Sequence, residues 1–299
     1  ERVLRRERKI SKLMNSLPGI AGNEVLRSMV LDEVVFSNEI EAIHTTRRQI
    51  EEALAVGGSG DSGSRRFREF ARLYLGLVFD DPGVPQTPED IRAIYDRIMD
   101  GEPLDDVPDG KIFRAYEVFI SNGSKAIHSG LHPEESIIEA IENMLRVVND
   151  SELPSLYSAL VAHYIFEYAH PFYDGNGRCG RYLLSLFLEE SLSKPTALSL
   201  SRVIAENKSA YYQAFRIAEN PLNQGELTFF VNTLLELIFQ AQEDLLTRLE
   251  DNLQLYNLLE QHCEELFEQE TFADKEQSLI FSLAQQAAFG VSHDISLER

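Results

Sequence analysis

Twelve consecutive residues, His170-Pro171-Phe172-Tyr173-Asp174-Gly175-Asn176-Gly177-Arg178-Cys179-Gly180-Arg181, gather an imidazole, a carboxylate, a Gly-Asn-Gly turn and two guanidinium groups. An imidazole with an intrinsic pKa near ~6.5 suits removal of a proton at neutral pH, which makes His170 a candidate general base. Asp174 offers one carboxylate to a hard cation such as Mg²⁺, whose other ligands would be phosphate oxygens. Gly175 and Gly177 let the backbone turn and approach a ligand closely, and Asn176 tolerates left-handed geometry better than most residues. Arg178 and Arg181 are three apart, so on a helix both lie on one face. Together these groups suit a triphosphate with a proton to be removed beside it.

Such a set works only if the elements around it hold it. Leu156 to Ala169 has the three- and four-residue apolar spacing of a helix, and Pro171 ends it at His170, because the residue before a proline disfavours helical geometry. Arg181 to Leu188 again reads as helix. The motif is therefore a helix–loop–helix elbow, and the second helix starts with its unpaired N–H groups toward the loop, a ready anion site. Cations in a first helical turn oppose the helix dipole, a misfit that an anion at this place would relieve. Asp174 can also cap that helix, and the Gly-Asn-Gly alone would describe an ordinary turn; the conjunction argues for a site.

The motif resembles the signature of the Fic (Fic/DOC) family, His-x-Phe-x-Asp/Glu-Gly-Asn-Gly-Arg-x-x-Arg, at every fixed position, and the likeness extends across about residues 30 to 240. The resemblance implies an all-α, Fic-type helical bundle with a small β-hairpin flap. It implies transfer of AMP from ATP to a Ser, Thr or Tyr hydroxyl of a target protein or of the chain itself, with Mg²⁺ on the phosphates and pyrophosphate leaving. By the same resemblance His170 is the base, Asp174 holds the metal, Gly175, Asn176 and Gly177 cradle the phosphates, Arg178 and Arg181 bind the outer phosphates, and Phe172 anchors the loop. Gly177 stands where the phosphotransferase branch carries Lys, which favours nucleotidyl transfer. Rival readings are an ATP-binding interaction module with little transfer, transfer of another group such as UMP, and removal of AMP by the same site.

Three further segments join this reading. Phe36 to Thr46 resembles the inhibitory motif Ser/Thr-x-x-x-Glu-Gly/Asn of Fic proteins that carry their own brake: Ser37 and Glu41 match, and Ala42 departs from the usual Gly or Asn. A carboxylate brought to Arg181 would form a charge-assisted pair and keep that arginine from the γ-phosphate; read alone, Ser37 and Glu41 describe a capped helix. Tyr116 to Ile120 is β-prone and is followed by Asn122-Gly123, a hairpin signal. It resembles the Fic flap, with Val118, Phe119 and Ile120 as the edge that aligns a target by strand addition. Leu198 to Phe215 reads as one helix with Ser201 as its N-cap; it resembles the helix bordering the adenosine pocket, with Asn207 and Tyr211 as base or ribose contacts.

The chain has 299 residues, 43% of them hydrophobic, and a formal net charge of −21. That is enough apolar material for a large core, and a surface that argues against nucleic acid and anionic membranes. The run Arg2, Arg5, Arg6, Arg8, Lys9, Lys12 reads as a solvated helix face. No apolar stretch reaches the ~18 residues of a membrane span, and two cysteines suit a reducing cytosol, so a cytoplasmic protein is expected, with a homodimer among its expected assemblies. Cys179 reads as a small helix residue. Gly57 to Ser64 is a flexible link, Asp80 to Thr87 a turn-rich loop, and Thr87-Pro88-Glu89-Asp90 a helix start. Glu226 to Glu265 reads as long helix. Expected divisions are residues 1–85 with the inhibitory motif, 86–245 as catalytic core, and 246–299 as C-terminal helices resembling the start of a winged helix.

Overall fold

The computed structural model describes residues 1–55, 67–104, 106–121 and 126–290. The Gly57–Ser64 link, the Asn122-Gly123 turn and the segment from Asp294 onward lie outside them. In chain order the helices are α1 (Arg2–Ser16), α2 (Gly19–Ile40), α3 (Arg47–Ala55), α4 (Arg68–Phe79) and α5 (Pro88–Ile98). Strands β1 (Phe119–Ser121) and β2 (Ala126–Ser129) form an antiparallel pair. Then follow α6 (Glu134–Val148), α7 (Ser155–Ala169), α8 (Asn176–Leu188), α9 (Lys194–Ala197), α10 (Leu200–Glu206), α11 (Lys208–Ala218), α12 (Thr228–Gln269) and α13 (Asp274–Phe289). Among the described residues it is a helical bundle with one small hairpin. Among the described residues no helix is long and apolar enough to cross a membrane.

Helix α5 shows how closely local sequence can write an element. The Thr87 side chain accepts from the Asp90 N–H, the Asp90 carboxylate accepts from the Thr87 N–H, and Pro88 takes the first position, where no donor is needed. At the centre, α7 and α8 pack on each other, and α2 lies against α4, α8, α10 and α13. Tyr74 of α4 meets Tyr182 of α8 edge-on at 5.2 Å. On the other side Phe215 of α11 meets Phe230 of α12 at 4.7 Å. Helix α12, the long helix expected near residues 226–265, backs α1, α10 and α11.

Two expectations are corrected here. Leu198 to Phe215 is not one helix: α10 stops at Glu206 and α11 starts at Lys208, with Asn207 between them at φ −119. Nor is Ser201 the N-cap, which falls on Ser199. Ser201 sits inside the first turn, where its N–H and hydroxyl both donate to the buried Glu33 of α2, the hydroxyl at 2.5 Å. A carboxylate from 168 residues away does the capping. The basic face of α1 is solvated at Arg2, Arg5, Arg8, Lys9 and Lys12 and half-buried at Arg6, with Arg2 and Arg6 also stacked over the Phe239 ring of α12 at 3.9 and 3.5 Å.

Candidate functional site

His170 closes α7 in a left-handed conformation, φ 49° and ψ 62°, with its N–H donating to Phe166 O at 3.0 Å. Pro171 cannot continue the helix, so the chain turns outward there. Phe172 is fully buried, stacked on Tyr95 at 3.6 Å between ring centres and edge-on to Phe113 at 5.5 Å. The Asn176 carboxamide closes the loop from the other end, accepting from Phe172 N–H at 2.9 Å and donating to Phe172 O at 2.8 Å. Its side chain is a brace, and only its backbone remains for a ligand. Gly175 precedes α8 at φ 78°, and a Cβ there would stand 2.5 Å from Met99 Sδ. Asp174 is exposed, one oxygen accepting from Gly175 N–H at 2.6 Å.

The two arginines of the motif each meet a carboxylate. Arg178 is 1% exposed and donates to Glu102 Oε1 at 2.7 Å. Arg181 donates to Ser37 Oγ at 3.0 Å and to Ser37 O at 2.9 Å, and its Nη2 lies 2.7 Å from Glu41 Oε1. The structure thus brings Ser37, Glu41 and Arg181 together. Burial pulls the Arg181 pKa down, but the Glu41 charge and weaker neighbours carry the net shift upward. A Cβ on Gly177 would stand 2.1 Å from Glu41 Oε1, so the Glu41 carboxylate lies directly on the first turn of α8. Ala42 follows with φ 58°. That is the left-handed region, which explains why Gly or Asn suits this position and why Ala is strained in it. Lys208 Nζ donates to Glu39 O at 2.7 Å and grips the same helix end.

The adenosine-side candidates lie differently. Tyr211 is 2% exposed, with its hydroxyl 2.7 Å from His163 Nε2, while His163 Nδ1 lies 3.1 Å from Gly180 O. Burial first, then the Arg181 charge, lower the His163 pKa to about 3. The ring is neutral, so Nδ1 donates to the carbonyl and Nε2 accepts from Tyr211. The Asn207 amide donates to Val203 O at 2.9 Å. Tyr212, which the sequence did not single out, is 43% exposed. Burial and then the Glu41 charge raise its pKa to about 12, so it stands near the Glu41–Arg181 pair. Only its position one residue beyond Tyr211 could have flagged it. Burial holds the Cys179 thiol well above its ordinary pKa, which leaves it inert.

Val118 is half-buried just before β1, with its carbonyl accepting from Gly130 N–H at 3.2 Å, and Phe119 in β1 is exposed. Ile120 lies in β1. A second unanticipated residue, Arg114, is fully buried beneath the hairpin and reaches His170 O at 2.8 Å. Apart from Tyr116 O two residues on, its partners are carbonyls remote in sequence, so no local pattern announces it. Among the described residues no group of three or more His, Cys, Asp or Glu side chains could hold a metal ion. A cation at the exposed Asp174 would draw its other ligands from phosphate oxygens and water, as Mg²⁺ prefers, and a single carboxylate fits that donor set.

Residues 85–188 match the Fic/DOC family model. The chain is 30% identical over 146 residues to protein adenylyltransferase fic-1 of Caenorhabditis briggsae, covering 48% of this chain and 25% of that protein. It is 25% identical over 211 residues to protein adenylyltransferase Fic of Drosophila virilis, covering 67% of this chain and 40% of that one. The chain therefore spans between a quarter and two fifths of the length of these relatives. A Fic family protein from Desulfovibrio desulfuricans G20 has a similar fold, with TM-score 0.60 at 21% identity over 98% of this chain and 85% of that one.

Proposed function

On the footing that this chain carries a Fic/DOC family domain, we propose that it is a protein adenylyltransferase held back by its own helix α2. The observation that carries the reading is the Glu41 carboxylate, which rests on Gly177 and pairs with Arg181 at 2.7 Å. It occupies with a protein anion the place where the loop's chemistry calls for a phosphate. Residues 1–85 are the regulatory region in this reading, 86–245 the catalytic core, and 246–299 a C-terminal support.

In the released state ATP sets its phosphates on the backbone of Gly175, Asn176 and Gly177 where α8 begins, and Arg181 takes the outermost phosphate. Arg178 adds positive potential while Glu102 braces it. Asp174 would hold Mg²⁺, which neutralises charge on the phosphates. A target Ser, Thr or Tyr hydroxyl, laid along Val118 to Ile120, attacks the α-phosphorus as His170 Nε2 takes its proton. The bond to the bridging oxygen breaks, and pyrophosphate leaves with its charge toward Arg181. Glu41 on Arg181 denies ATP that last contact, so bound nucleotide lacks the pose for in-line attack.

The test compares the wild type with Glu41→Gly, using ATP labelled in the α-phosphate, with UTP as competitor. A gain of ~10-fold or more is expected, matching the ~1.4 kcal/mol or more of a charge-assisted bond. Arg181→Ala in that background should abolish the gain, and His170→Ala should cost ~10²–10⁴-fold. Equal transfer by wild type and Glu41→Gly refutes the brake; preferential use of UTP refutes the donor.

A further inference from the structure

Arg114 is fully buried, yet among the described residues its hydrogen-bond partners are carbonyls only. Its Nε donates to His170 O at 2.8 Å, Nη1 to Tyr116 O at 2.5 Å, and Nη2 to Leu131 O at 2.7 Å and Ala169 O at 3.5 Å. Its own N–H donates to Pro171 O at 3.1 Å. These acceptors belong to three strands of chain: the approach to β1, the exit from β2, and the end of α7. The last carbonyls of α7 lack intrahelical donors and carry the negative end of its dipole, so they suit a cation. A guanidinium is planar, and its five N–H vectors are fixed. Whatever it bonds to is therefore fixed in mutual distance as well as held. Gly130 makes the room: a Cβ there would stand 2.4 Å from Arg114 Nη2 and 2.9 Å from His170 Cβ. The hairpin, the guanidinium and the base meet at this one point.

We propose that Arg114 is a positioning residue that sets the spacing between the hairpin edge and His170, and so between a docked target hydroxyl and the base. The proposal rests on the reading of the chain as a protein adenylyltransferase. It separates two parts of the site. The phosphate cradle comes from α8 and Arg181, and Arg114 bonds to neither; the target side comes from the hairpin and His170, and Arg114 bonds to His170 O and to the carbonyls of Tyr116 and Leu131 that flank the hairpin. Misplacement of reacting groups by ~1 Å costs on the order of 10²-fold in rate.

The experiment uses the Glu41→Gly protein as parent, with Arg114→Lys, Arg114→Gln and Gly130→Ala added singly. AMP transfer should fall by on the order of 10²-fold in each, the Lys variant included, because an ammonium cannot span carbonyls on three segments. The KM for ATP should stay within about twofold, since the cradle is intact. Amide exchange should quicken at Gly130 and Leu131, whose N–H groups bond to Val118 O and Ala169 O, and stay unchanged in the first turn of α8. Parental transfer by Arg114→Lys, a joint loss of rate and ATP binding, or unaltered exchange at Gly130 and Leu131 would each overturn the proposal. If the parent itself transfers no AMP, the functional reading fails, and the exchange measurement alone decides whether Arg114 couples hairpin to base.

Discussion

Arg178 and Arg181 stand one turn apart on α8, and each lies 2.7 Å from one carboxylate oxygen, but the pairs differ in their surroundings. The Arg178 and Glu102 side chains are 2% and 4% exposed; those of Arg181 and Glu41 are 3% and 32%. Distance does not separate them, and access to water does. Glu102 cannot leave without abandoning a charge in the interior, so that pair holds the loop after α5 to the motif. Glu41 is partly exposed at the end of α2, beside a strained Ala42, and under the proposed function an arriving phosphate trades places with it. One turn of helix thus carries a fastening and, under the proposed function, a latch.

Removing each acid in turn should divide the pairs most sharply. Glu102→Ala leaves Arg178 buried and unpaired, which should cost about 3–5 kcal/mol in urea denaturation. Glu41→Gly, whose loss lets water reach Arg181, should cost less than ~1 kcal/mol. Equal losses would show that both pairs are fastenings.

The helix that bears the latch is itself anchored by Glu33, and that anchor titrates. Burial raises its pKa to about 7 against the hydrogen bonds from Ser201 and the Arg181 charge. A carboxyl whose folded pKa lies above its unfolded value of 4.5 costs nothing below that value; its penalty builds as pH rises from there to about 7 and is complete above it. Glu33→Gln should therefore be more stable than wild type by about 3 kcal/mol at about pH 8, the difference vanishing near about pH 4. A pH-independent difference would mean that Glu33 does not titrate in this window.

The smallest effect belongs to Ala42→Gly. Relief of the left-handed strain should add about 1 kcal/mol in thermal denaturation and, by tightening the latch, lower basal AMP transfer up to ~5-fold. If basal transfer rises instead, the strain holds the latch closed.

Much of this was legible where cause and effect are close in sequence. Thr87 to Asp90 wrote the start of α5, and Pro171 with Gly175 wrote the elbow. The pairing of Glu41 with Arg181 was legible for another reason, since two motifs that resemble a known family place it. What stayed hidden was remote. Ser201 looked like a helix cap because nothing nearby announces Glu33. Leu198 to Phe215 kept helical periodicity through a break at Asn207. The partner of Arg178 and the carbonyls of Leu131, Ala169 and His170 around Arg114 are matters of tertiary assembly, to which no spacing rule speaks.

His163 lies beneath the motif helix and, with a pKa near 3, carries no charge at any pH the fold normally meets. This makes the chemistry above it easier to interpret. Two histidines, His163 and His170, occupy α7 and its cap, and with ordinary pKa values both would shape a rate–pH curve. With one silenced by burial and by the Arg181 charge, the imidazole beneath the motif adds no inflection of its own to that curve.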